Sequence, residues 1–138
     1  SMTEYPQLLH TVLDTTEPRL LAEFYRQLLG LRYREGDEPP ADGRVDDADW
    51  LVLVDFRGVR KLAFQQVERL DRTTWPSHEV PMQLHLDFTV SSVTELHRQR
   101  EIAESLGAEV LLDRTDEPDE PLFVFADLSG HPFCIFVA

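Results

Sequence analysis

The chain predicts an α+β fold made of two βαβββ modules in tandem. Three observations carry this. A Leu-His pair opens an apolar strand twice, in "LLHTVLD" from Leu8 and in "QLHLDFTV" from Gln83. Each strand runs into a helical pattern that stops at Leu-Gly, at Gly30 and at Gly107. Each helix is followed by a short strand, an acidic loop and a hairpin turning at glycine, Gly58 in the first half and Gly130 in the second. Repetition with a period near half the chain signals a duplicated structural unit.

The elements follow in order. In the first half, Thr15 or Thr16 is the expected helix cap, with Pro18 tolerated in the first turn. Leu21, Phe24, Tyr25 and Leu28 fall at helical spacing, and Gly30 supplies the left-handed stop. A strand from Leu31, the loop "EGDEPPADGRVDDAD" and the hairpin "WLVLVDFRGVRKLAFQQV" complete this half. "ERLDRTTWPSHEVP" has two prolines and no sustained periodicity, so it reads as the joint. In the second half a strand over Met82–Val90 precedes a helix whose Ser92 and Glu95 have capping-box spacing. Then come "AEVLLD", the loop "RTDEPDEP" and the hairpin "LFVFADLSGHPFCIFV". The expected organisation is one domain over residues 1–138, with modules at about 8–67 and 82–138 and a linker at about 68–81.

Composition narrows the function. A formal charge of −13 disfavours nucleic acid and anionic membrane surfaces as partners. No apolar run reaches the roughly 18 residues of a membrane helix, and no signal-peptide pattern opens the chain. One cysteine, Cys134, excludes an internal disulfide framework and makes a cytoplasmic setting the default. Both acidic loops read as solvated, mobile connections.

Strand parity then selects four positions. Residues two apart on a strand share a face, so with Leu84, Leu86 and Phe88 under a helix, His85 and Asp87 look the other way. His10 is the repeat counterpart of His85 and shares its face with Val12 and Asp14. On the last strands, Leu62 and Phe64 facing a helix leave Gln65 on the second face, while Phe133 and Ile135 do the same for Cys134, although both faces there are apolar. The halves are expected to form a curved sheet, helices outside, around a cleft toward which His10, Gln65, His85 and Cys134 converge. Leu21, Phe24, Leu28, Phe64, Leu84, Leu86, Phe88, Phe133 and Ile135 are the expected core. Imidazole and thiolate are good ligands for a divalent transition metal, and an amide oxygen is a weaker one. Each histidine also has a plain reading as a strand residue bonded to a neighbour, and Cys134 one as a small buried hydrophobe. His78, His97 and His131 read as solvent-facing, and Trp50 and Trp75 as packing residues.

The modules "LHTVLDTTEPRLLAEFYRQLLG", "KLAFQQV", "QLHLDFTVSS" and "DLSGHPFCIFV" resemble the vicinal-oxygen-chelate superfamily of glyoxalases, extradiol dioxygenases, fosfomycin-resistance and bleomycin-binding proteins. The likeness covers nearly the whole chain and is greatest to the glyoxalase-like members. It implies metal ligands on the first and last strand of each module, at His10, Gln65, His85 and Cys134, and a homodimer. Enzymatic members usually place glutamate at the last-strand positions, where this chain has Gln65 and Cys134. Asp14 and Asp87 are candidates to compensate, by orienting an imidazole or serving as base. Two functions follow as expectations. One is a lyase or isomerase that uses zinc, nickel, manganese or iron on a small oxygenated substrate. The other is metal-free binding or sequestration of a small aromatic or cationic molecule.

Overall fold

β1 (Thr11–Thr15) begins the first of two units into which the computed structural model divides; residues 4–138 are described, and the units are Ser1–Val67 and Glu68–Ala138. α1 (Pro18–Leu29), β2 (Arg32–Tyr33), β3 (Trp50–Val54) and β4 (Arg60–Gln66) complete the first unit. The second contains β5 (Leu86–Val90), α2 (Val93–Ser105), β6 (Glu109–Arg114), β7 (Leu122–Ala126) and β8 (Pro132–Val137). Each unit is therefore βαβββ, and the strand orders correspond: β1-β4-β3-β2 and β5-β8-β7-β6. The first and last strands of each unit pair in parallel and the others antiparallel.

In the first unit α1 buries Leu21, Ala22, Phe24 and Tyr25 against its sheet, where Leu13, Leu51, Leu53, Leu62 and Phe64 are also buried. The Tyr25 ring stacks on Phe64 at 6.0 Å and meets Phe24 edge-on at 5.0 Å. Full burial of such side chains stabilises by about 1.5–3 kcal/mol each. Gly30 caps the helix with φ +67°, the left-handed conformation a side chain disfavours. The N-terminus differs from expectation. Glu17 holds the cap position without a side-chain cap bond, and the Thr15 hydroxyl accepts the Glu17 N–H at 3.0 Å instead.

In the second unit Ser92 caps α2 as expected, accepting the Glu95 N–H at 3.1 Å. Only Leu96 and Ala103 of this helix are buried. Phe133 stacks on Phe125 at 5.0 Å and forms the core with Phe123 and Ile135. Three expected core positions move outward: Leu84 is 37% exposed, and Leu86 and Phe88 are half-buried. β5 lies at the sheet edge and begins at Leu86, so Leu84 precedes the paired region. Leu28 in the first unit is half-buried as well.

The first acidic loop is tethered. The Arg19 guanidinium donates to Asp46 Oδ2 at 2.7 Å and the Asp37 carbonyl at 2.6 Å, and lies over the Tyr33 ring at 4.9 Å. The Asp37 carboxylate takes the Val52 N–H at 2.9 Å and pairs with Arg34 at 3.1 Å. The expectation of a solvated, mobile connection missed these anchors because their partners lie elsewhere in the sequence. No helix among the described residues is long and apolar enough to cross a membrane.

Candidate functional site

The second unit gathers metal-type donors at one point. The β5–β8 register sets Asp87 directly opposite Cys134, and His85 sits one residue ahead of β5. Residues opposite each other point to the same face, and so do residues two apart. Three ligand atoms, one each from His85, Asp87 and Cys134, consequently lie within 4.8 Å of one another. His85 Nε2 is 3.4 Å from Asp87 Oδ1, and both side chains are exposed.

Cys134 is half-buried, and its thiol is pushed up to about 11 by burial first, then by the Asp87 charge and by donating to that carboxylate. It is therefore a protonated thiol at neutral pH. The donor set fits a divalent metal. Nitrogen, oxygen and sulfur ligands at about 2.0–2.3 Å from zinc stand roughly 3.5 Å apart in a tetrahedron, and His85 Nε2 and Asp87 Oδ1 stand 3.4 Å apart with all three donor atoms within 4.8 Å. Ligation requires the thiol to lose its proton.

The first unit carries a different face. Val52, Val54 and Ala63 are buried there, with Val12 and Trp50 packed against them. His10, one residue ahead of β1, lies beside Trp50 with ring centroids 6.0 Å apart. Its Nδ1 is buried with no hydrogen-bond partner, the side-chain atom so placed among the described residues. An unpaired buried polar group costs about 1–3 kcal/mol, which a bound partner would recover. Burial, then the charges of Arg60 and Arg34, lower the His10 pKa, so the ring is neutral near pH 7.

Register also corrects one expectation. Asp55 and Asp127 build matching hairpin turns: each carboxylate accepts the N–H groups two and four residues on, at 2.8 and 3.0 Å in both. Gly58 and Gly130 close these turns with φ +81° and +92°. An irregularity at Leu53/Val54 then adds one residue to β4, so Leu53 pairs with Leu62 and Val52 with Ala63. The corresponding pair in the second unit is Val124 with Cys134. Val12 pairs with Ala63 as Asp87 pairs with Cys134, each two residues past its histidine. His10 thus corresponds to His85, but the counterpart of Cys134 is Ala63, not Gln65. Gln65 corresponds to Phe136 and sits opposite Asp14 and Trp50, both Gln65 and Asp14 exposed. Asp14 lies four residues past His10, about 13 Å along an extended strand, so Gln65 and His10 are not brought together.

The remaining histidines divide. His78 and His97 are exposed, the latter edge-on to Phe123 at 5.8 Å. His131 is not solvent-facing: its Nδ1 is 2.9 Å from Oδ2 of Asp127, whose side chain is fully buried. The repeated "DFRG" and "DLSG" are the sequence signal that marks this turn and, through it, the register.

Comparison with known proteins accords with this architecture. No curated protein matches the sequence. Among solved structures, a hypothetical protein from S. aureus aligns at TM-score 0.65 with 17% identity, over 96% of this chain and 97% of the other. A glyoxalase/bleomycin resistance/dioxygenase family enzyme from Burkholderia phytofirmans aligns at 0.68 with 14% identity, over 94% and 96%. A point mutant of the fosfomycin resistance protein FosX from Listeria monocytogenes, complexed with Mn(II) and a dihydroxypropylphosphonic acid, aligns at 0.69 with 16% identity, over 98% and 94%. At such identities the likeness is one of fold. The model of the glyoxalase-like domain family matches residues 10–136. With nearly the whole chain matched, the protein belongs to the glyoxalase-like domain family.

Proposed function

We propose that this chain is a divalent-metal-dependent enzyme of the lyase or isomerase type, acting on a small oxygenated molecule. The observation that carries the reading is the approach of His85, Asp87 and Cys134 ligand atoms to within 4.8 Å on one sheet face. The FosX structure with Mn(II) supports metal chemistry on this fold. A metal bound there would act as a Lewis acid, polarising a substrate oxygen and stabilising negative charge as it develops. The protein's own part is to aim the His85 imidazole, to hold the Asp87 carboxylate beside it, and to receive or release the Cys134 proton through that carboxylate.

One observation favours a second reading. Burial, and then the Asp87 charge and the hydrogen bond to it, hold the Cys134 thiol protonated, which suits metal-free binding of a small molecule. Calorimetry with Zn²⁺ and Ni²⁺ at pH 7 separates the two. Wild type is expected to bind one ion with release of a proton, and His85→Ala or Cys134→Ser to weaken it at least a hundredfold. Negligible heats for wild type would sink the metalloenzyme reading and leave the metal-free one.

A further inference from the structure

The face of the first unit's sheet that carries His10 is not explained by the metal ligands. Its floor is apolar, made by Val12, Val52, Val54 and Ala63, and Trp50 packs on it with its ring half-exposed. One end of this face is cationic. Arg60 pairs in register with Val54, so its side chain rises on the same face, at the level where β1 begins with His10 just ahead. Arg34 follows β2, its N–H bonded to the Val52 carbonyl.

These two guanidiniums are in different states. Arg34 is met by the Asp37 carboxylate at 3.1 Å. Arg60 is half-buried and has no ion pair among the described residues. Beside it, the His10 ring presents its unpartnered, buried Nδ1. The opposite end of the face carries exposed Asp14 and Gln65. An aromatic wall on an apolar floor, with an unpaired cation and an orphan imidazole nitrogen at one end, has the makings of a polar-headed ligand site.

We infer that this face binds the planar or apolar body of a small anion against Trp50, with its carboxylate-type oxygens held by Arg60 and by an N–H donated from His10 Nδ1. The inference deepens the small-molecule reading above by naming the ligand class, and it does not depend on a metal. It also runs against the chain's net charge of −13, which by itself would suit a cation. Local charge decides here because short-range pairs outweigh a field that salt screens beyond about 8 Å. A guanidinium is the better partner for a planar carboxylate because it donates in a matching fork.

Three probes of one shape and different charge test this: benzoate, benzyl alcohol and benzylammonium. They are titrated into metal-free protein in EDTA, with Trp75→Phe leaving the Trp50 indole N–H as the single indole signal in a ¹H–¹⁵N spectrum. Benzoate is expected to move that signal saturably and to bind at least tenfold more tightly than benzylammonium. Arg60→Gln should abolish the preference, Arg60→Lys should keep much of it, and His10→Phe should weaken benzoate while the dispersed spectrum reports an intact fold. The inference is overturned if benzylammonium binds as well as benzoate, if benzoate gives no saturable movement, or if Arg60→Gln leaves the preference intact. Because EDTA removes metal, a negative result here with Zn²⁺ binding intact defeats only the ligand class. Loss of Zn²⁺ binding with benzoate recognition intact defeats only the metal.

Discussion

The two units share one topology and spend their second sheet faces differently. In the first, the position opposite the middle of the hairpin partner is Ala63, fully buried beneath an apolar cluster with Trp50. In the second, the same position is Cys134, half-buried and bonded to an exposed Asp87. Their helices differ in the opposite sense. α1 buries five residues, Pro18, Leu21, Ala22, Phe24 and Tyr25, whereas α2 buries two and relies on its serine cap. A duplicated fold can thus place stability in one copy and metal-type donors in the other, since donors must reach solvent or ligand and cannot also fill a core.

The strongest way to break this comparison is to cut equivalent volumes from each unit. Leu21→Ala is expected to destabilise by about 2–5 kcal/mol in a denaturant titration, as removal of a fully buried leucine side chain does. Leu86→Ala, at a half-buried edge position, should cost clearly less, about 1–2 kcal/mol. Equal losses would show that the second unit is packed as tightly as the first.

The thiol sharpens the contrast chemically. Cys134 is held at about 11, above its ordinary value, so its proton contributes stability that is fully present below the unfolded thiol's pKa and lost as pH rises through the folded one. Iodoacetamide should therefore modify it slowly at pH 8 and faster as pH climbs toward 11. Asp87→Asn removes the charge that opposes ionisation, so the reactivity profile should move to lower pH. An unchanged profile would mean that burial alone holds the proton.

The smallest effect is at the helix starts. Ser92→Ala removes the bond to the Glu95 N–H and should cost about 1 kcal/mol. Thr16→Ala, beside a helix whose cap position is Glu17, should change the thermal midpoint little. A Thr16 effect as large as that of Ser92 would restore Thr16 as the cap of α1.

The fold and its duplication were written in local signals. Leu-His strand openings, the Ser92 cap, Gly30, Gly58 and Gly130 act within a few residues of themselves, and such signals survive in sequence. The histidine pair was equally legible, since His10 and His85 stand one residue ahead of their strands. Register was legible only as far as the repeated "DFRG" and "DLSG" turns, and the shift in β4 was decided by the tertiary structure. One added residue in β4 puts Ala63 rather than Gln65 at the Cys134 position, and no local rule marks a bulge in a run as apolar as "KLAF". Asp87 meets Cys134 through a parallel pairing of strands remote in sequence, and Arg19 meets Asp46 across a loop. Those contacts depend on how whole elements pack, so the sequence named the donors while the pairing of distant strands chose which of them touch.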